Sequence, residues 1–458
     1  MQIEQGIPSA TDVAVDWSSY PLFDALRDRR SRRFGMGMKL GDPTPFESDR
    51  APVPLTEDER AMLAFAACGI TGPALNDLSL GVAEGGGMMA GIFGRTVGSV
   101  DAVNTVSLFV TDDDGTYLLR RPHELGSDEI RALVGLAHEG NYVDAYRRSR
   151  VRLHDGRARG PAGPPFGVEI NRWAANAPGC TSFLPVGEMA LPIINVLLEL
   201  LSSRQRYFIL DERAGYRPAG LKPFAARRGG HLDDDVRKGT VVTIEAFERV
   251  MAELITIEHG MMLQNLGLAC EALGLGGFPM FAALDEPWLR ELGFRMSELP
   301  LSRAFGMPAP VRLALRAMRR DVPVALPVAL DAPDGTPLLR SATPPAFPTM
   351  RAAVSAVVER KFGREGLYAG RANEGAWKDP ERVATRRGGI DDQAIEATVA
   401  YCEYVWNRYG RFPAYLAPYH AVMVFQAHHL DLEFYDRHYQ PGVVRDAHRH
   451  HFSSALHS

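Results

Sequence analysis

Between Glu258 and Pro279 the chain places apolar or small residues at 261, 262, 263, 266, 268, 269, 270, 272 and 273. That leaves almost no continuous polar face, so a helix here is expected to be buried nearly all round, inside a large core or between subunits. Glycines then stop it. Gly274 is placed to adopt the left-handed conformation that closes a helix, Gly276 and Gly277 permit a close backbone approach, and Pro279 prevents the helix from resuming. An amphipathic helix over Thr243 to Thr256 approaches this central one.

A chain of 458 residues exceeds one ordinary domain, so two domains or one decorated core is expected. With 46% hydrophobic residues, 23% charged and a formal charge of -5, it lacks the basic excess that favours nucleic acid. Cys68, Cys180, Cys270 and Cys402 are far apart with no CxxC spacing, which argues against a zinc knuckle or a disulfide scaffold. The longest apolar run, Met189 to Leu201, is broken by Pro192, Asn195 and Glu199 and is too short for a bilayer, which takes about 20 residues. No basic segment followed by an apolar one opens the chain, so a cytoplasmic protein with no membrane or nucleic-acid partner is expected.

Three other segments carry structure that is legible in the sequence. Thr56 with Glu59 three residues on forms a capping box that opens a helix. Asp112-Asp113-Asp114-Gly115 between two apolar runs is a hairpin turn, and the acidic triplet lacks the spacing of a calcium loop. Leu22, Phe23 and Leu26 make an apolar helical stripe that ends in the basic run Arg29, Arg30, Ser31, Arg32, Arg33. Guanidinium forks and a hydroxyl suit a phosphate monoester, although basic residues in a last helical turn also complement the helix dipole.

Leu263-Gln264-Asn265-Leu266 through Gly274-Leu275-Gly276, and Arg29-Arg30-Ser31 with Arg33 after an N-terminal helix, together resemble the nitroreductase / flavin reductase superfamily. The resemblance implies an α+β fold: a nitroreductase-like central antiparallel sheet enclosed by helices, with insertions and an added C-terminal region. It places an FMN-binding core over residues 1–300, with an internal insertion at about 123–180, and an extension over 301–458. It also implies a homodimer through the 258–273 helix, with FMN as cofactor and NAD(P)H and a small organic molecule as substrates.

Carried over to this chain, the resemblance assigns the flavin phosphate to Arg29, Arg30, Ser31 and Arg33. It sets Asn76 against the ring's polar edge, where an amide offers both donor and acceptor. Gly276, Gly277, Pro279 and Met280 pass the ring's reactive side. Phe281 stands where many relatives have a carboxylate or glycine, and a phenyl ring there stacks on substrate or fills the pocket. Arg95 is a further candidate for facing the flavin, and Lys361 or Arg364 for reaching its phosphate.

The C-terminal region is unusually rich in histidine and aromatics, with His428, His429, Asp431, Glu433 and Asp436 close together. Imidazole with carboxylate binds zinc or iron, but no HExxH or other ordered pattern is present, so no metal is assigned. His428 and His429 are instead candidates for a pocket wall that donates a proton to substrate, or for simple packing of a surface arm. His448 to Ser458 reads as a frayed tail. Two readings compete with an FMN oxidoreductase: a flavin-binding protein without turnover, and a metal-dependent hydrolase built on the C-terminal histidines.

Overall fold

The computed structural model describes residues 19–75, 93–99, 103–164, 167, 169–364, 377–379, 391–413, 415–416 and 421–455. Asn76 lies outside them, and so does the side chain of Phe281. The elements that position the site are helices α1 (Leu22–Asp28) and α2 (Glu57–Cys68), then strands β1 (Val106–Thr111), β2 (Gly115–Leu119), β3 (Arg150–Asp155) and β4 (Thr181–Glu188). Helices α3 (Ala190–Leu200) and α4 (Ile244–Leu273), strand β5 (Gly276–Leu284), helix α5 (Asp392–Tyr409), strand β6 (Ala421–His428) and helix α6 (Asp446–Ala455) complete the set.

The fold is α+β, built on an antiparallel sheet in the order β5-β6-β4-β1-β2-β3, with Tyr415–Leu416 also paired to β4. Region 301–458 supplies β6, between β5 and β4, and region 123–180 supplies the far edge strand β3. Side chains alternate across a pleated strand. Accordingly Val106, Leu108, Val110, Phe183, Phe425 and Ala427 enter the larger core with α3 and α4. Phe109, Leu118, Leu184, Phe278, Met280 and Val424 enter a second core with Trp288 and Leu289. That second face is covered by the helix Asp285–Glu291 and by residues of a smaller sheet of Arg295–Pro300, Pro323–Asp331 and Pro337–Arg340. The proline-rich run at 322–327 is thus extended, as its composition predicts.

The capping box forms, with Thr56 accepting from the Glu59 amide and the Glu59 side chain from the Thr56 amide. The acidic triplet is turn chemistry: Asp112 Oδ1 accepts from the amides of Asp114 and Gly115.

The two helices expected over 243–256 and 258–273 are one helix of 30 residues. It opens on Thr243, whose side chain accepts from the Ala246 amide, and closes on Gly274 at φ 75°. No cap interrupts it, and Gly260 costs only about 1 kcal/mol relative to alanine, too little to break a helix held by tertiary packing. Within 258–273 Met261 is 42% exposed, and upstream Val250 (51%) and Ile257 (54%) also face outward, so a single chain does not bury the helix all round and only a second subunit could. Residues 448–455 of the expected frayed tail are helical: α6 buries His448 and packs against the end of α4.

Two buried ion pairs pin α4. Glu258 accepts from the Arg95 guanidinium, Ser99 Oγ at 2.7 Å, Thr105 Oγ1 at 2.9 Å and the Val106 amide at 3.2 Å. Glu271 accepts from Arg32 Nη1 at 2.5 Å. Arg95 also donates to Asn104 Oδ1 and the Val106 carbonyl, so its guanidinium is committed to holding β1 against α4. Glu258→Leu leaves Arg95 buried without its carboxylate, which costs about 3–5 kcal/mol. Urea denaturation of that variant should show a loss of this size, and restoring part of it by adding Arg95→Met would assign the cost to the stranded charge.

Candidate functional site

A cleft of about 260 Å³ lies between α4 and the edge of the sheet. Thr256, His259, Gly260, Leu263, Gln264 and Gly267 form the helix wall, while Gly277, Pro279, Met423 and Phe425 form the strand wall. Arg29, just past the end of α1, closes one side. The residues follow from two periodicities. Positions 256, 260, 263, 264 and 267 share a helical face, and 277 and 279 on β5 share a sheet face with 423 and 425 on β6. The walls separate because a side chain on Gly260 would meet nothing within 4 Å among the described residues, and one on Gly267 only Arg29 and Phe425.

The structure brings together Arg29, Gly277 and Pro279 among the residues singled out by sequence. Arg32, inside the same basic run, makes an antiparallel bridge to Gly277, which fixes the N-terminal segment along the β5 edge. The remaining members of the run point elsewhere. Arg30 is exposed and turns its guanidinium onto the carbonyls of Arg27 and Arg29, and Ser31 is exposed. Arg33 donates to Asn171 Oδ1 at 3.0 Å and lies 4.5 Å from the Phe278 ring centroid. Phe278 and Met280 project from the sheet face opposite Gly277 and Pro279, so Arg33 and Met280 belong to that other side.

The two glycines have internal reasons to be glycine. A Cβ on Gly277 would come within 2.7 Å of Cys270 Sγ and 2.8 Å of Phe425, and one on Gly276 within 2.6 Å of His428 Nε2. What approaches these backbones closely is the protein's own core. Lys361 is buried and donates to Asn195 on α3, and Arg364 is exposed.

Neither C-terminal histidine lines the cleft. His428 opposes Gly276 on the far face, edge-on to Phe278, and burial pushes its imidazole down to about 3. His429 lies beyond the end of β6, beside Glu59 and His451.

The residue that sequence reasoning passed over is His259. It is 1% exposed, lines the cleft, and has no partner for either ring nitrogen among the described residues. Burial holds its imidazole down to about 3, so it is neutral at pH 7, with one nitrogen able to donate and the other to accept. Its neighbour Glu258 is absorbed in the Arg95 pair, and only the fold distinguishes the two. Gln264 adds an exposed amide on the same wall.

The neutral state of His259 has a pH signature. The folded chain refuses a proton that the unfolded chain binds below about 6.5, so stability falls as pH drops from there toward 3. Between pH 7 and pH 5 this group alone costs about 2 kcal/mol. His259→Gln should lose that much less stability over the same interval in urea titrations at the two pH values. Equal losses in both proteins would show that His259 takes up its proton in the fold.

No family model and no curated protein matches the chain. Among solved structures it is similar to a crystal structure from Ralstonia eutropha JMP134, provisionally described as a nitroreductase. The two share 12% identity over 59% of this chain and 75% of that one, with a TM-score of 0.29, a likeness too slight to carry an assignment.

Proposed function

We propose that the protein is an FMN-dependent oxidoreductase that passes hydride from NAD(P)H to a small organic substrate, the two using one site in turn. The observation that carries this reading is the meeting of Arg29 with His259, Gln264 and the β5 edge in a single cleft. These are the segments whose sequences resemble the flavin-binding segments of the nitroreductase superfamily, and Arg29 comes from far upstream of the helix and strand that it meets.

The donor set suits the cofactor. Arg29 supplies a cation for a phosphate monoester. Gln264 and the orphaned His259 supply donors and acceptors for a ring that alternates them. Met423, Phe425, Leu263 and Pro279 offer an apolar lining for a flat aromatic body. The bound flavin supplies the hydride chemistry, and the chain binds, orients and shields it. In this scheme Arg29 holds the phosphate, His259 keeps a hydrogen bond without bringing a charge, and the apolar strand wall keeps water away.

The cleft borders an open apolar face. Leu22, Phe23 and Leu26 on α1 and Val250, Ile257 and Met261 on α4 are all exposed in one chain, and α1 packs on α4. A second copy of the chain covering these side chains completes the proposal, because large apolar side chains left exposed on packed helices are the kind of surface that marks an interaction site.

Arg29→Ala should weaken FMN binding roughly tenfold to a hundredfold, the worth of a charge-assisted contact, while Arg33→Ala should leave it nearly unchanged. Quenching of flavin fluorescence on titration reads both, and equal affinities for the two variants would move the phosphate elsewhere. Bleaching of the reconstituted protein by NADPH under nitrogen separates turnover from mere flavin binding. Ile257→Asp combined with Met261→Asp should convert a dimer to a monomer in sedimentation velocity and lower flavin occupancy with it. A wild-type protein that sediments as a monomer would remove the dimer from the scheme.

A further inference from the structure

We propose that Glu59, His429 and His451 form a binding site for a single zinc-type divalent transition-metal ion, clipping the C-terminal helix α6 to the start of α2. The three residues come from distant parts of the chain, and their ligand atoms lie within 4.8 Å of one another. Glu59 Oε1 is 2.9 Å from His451 Nε2, and His429 Nδ1 is 3.0 Å from the same nitrogen.

Proton counting shows why a cation belongs there. His429 Nε2 lies 3.3 Å from the Pro54 carbonyl, an acceptor only, so that nitrogen carries the ring proton and Nδ1 presents a lone pair. His451 Nε2 therefore has a lone pair on one neighbour and a carboxylate oxygen on the other, and a ring nitrogen has one proton to offer. One of the two acceptors goes unsatisfied in the neutral arrangement. A metal ion in place of that proton satisfies all three Lewis bases together. The rings lie nearly parallel, at 8° with centroids 5.0 Å apart, so a small opening of the pair brings the donors to the roughly 3.3 Å spacing of a tetrahedral site with bonds near 2.05 Å.

The outer partners of a metal site are already in place. A ligating histidine usually donates its other N–H to a carbonyl, as His429 does to Pro54, and a ligating carboxylate has its second oxygen held, as Glu59 Oε2 is by the Thr56 amide at 2.6 Å. Two imidazoles and a carboxylate are the borderline donors that zinc-type ions prefer. A cavity of about 140 Å³, lined by Met62, Leu273, Ala447 and Ser454 beside Glu59 and His451, leaves room for a water as the fourth ligand. The site lies apart from the cleft and does not depend on the flavin reading.

The test is titration of the chelator-treated full chain with Co²⁺ and Zn²⁺. One equivalent should bind, with the visible absorption of low-symmetry four-coordinate Co²⁺, and Zn²⁺ should displace it and raise the melting temperature. His451→Ala, at a partly exposed helix position, and Glu59→Gln, which keeps the capping oxygen, should each weaken binding at least tenfold. His450→Ala, one residue away and exposed, should not. Absence of stoichiometric binding would overturn the proposal, and so would binding that survives His451→Ala or Glu59→Gln, because it would then belong to the histidine-rich tail alone.

Discussion

The fold turns on one buried carboxylate. Glu258 sits near the middle of the longest helix, with its side chain 2% exposed, and every group around it is a donor: a guanidinium, two hydroxyls and a backbone amide. A charge so buried is tolerated only when it is paired and hydrogen-bonded. Satisfying it requires the start of β1, the 95–99 segment and α4 to stand in one mutual register. A slip of α4 by one turn would strand both Glu258 and Arg95. The pair adds little to net stability relative to a well-packed apolar alternative, and what it fixes is the rotation of the helix.

That rotation decides what the helix shows to the sheet edge. With Glu258 turned inward, His259 reaches the cleft and Ile257 and Met261 face outward. A second buried pair, Arg32 with Glu271, fixes the other end, and burial raises the Glu271 carboxyl although Arg32 opposes it. Because Arg32 also bridges to Gly277, the N-terminal segment caps the sheet edge that Pro279 occupies. A proline belongs on an edge strand, since it has no amide to give to a further neighbour. Arg29 enters the cleft because the residue three positions on is anchored, and Arg33 leaves it because the chain has crossed to the other face.

Much of the framework was legible in the chain. The capping box at Thr56, the Asp-Gly hairpin and the Gly274 stop are local chemistry, written within a few residues, and the structure contains each. The uninterrupted helix was harder to read, because what spans Ile257 to Gly260 is tertiary packing and not propensity. The basic run illustrates the same limit within the candidate site. Composition placed cations near an expected phosphate, but only the bridge from Arg32 to Gly277 sorts Arg29 from Arg33. His259 gave no signal, since a lone histidine on an apolar helix is most often simple packing, and its lack of partners appears only in three dimensions. Glu59 reads as a cap, which it is, and nothing in the sequence spacing ties it to His429 or His451.

The cleft and the histidine cluster are connected by shared elements. Strand β6 gives Met423 and Phe425 to the cleft and is followed directly by His429. Helix α4 gives the opposite cleft wall and ends at Gly274, whose Cα leaves no room for a side chain because Ala447 and His451 of α6 lie against it. Both walls of the cleft therefore terminate on the region that α6 covers. Those two ends are already joined by the Gly276–His428 pair of the ladder, and α6 lies against the helix end through Ala447 and His451. The C-terminal segment, polar and histidine-rich in sequence, thus packs on the end of the helix that forms one cleft wall without lining the cleft itself.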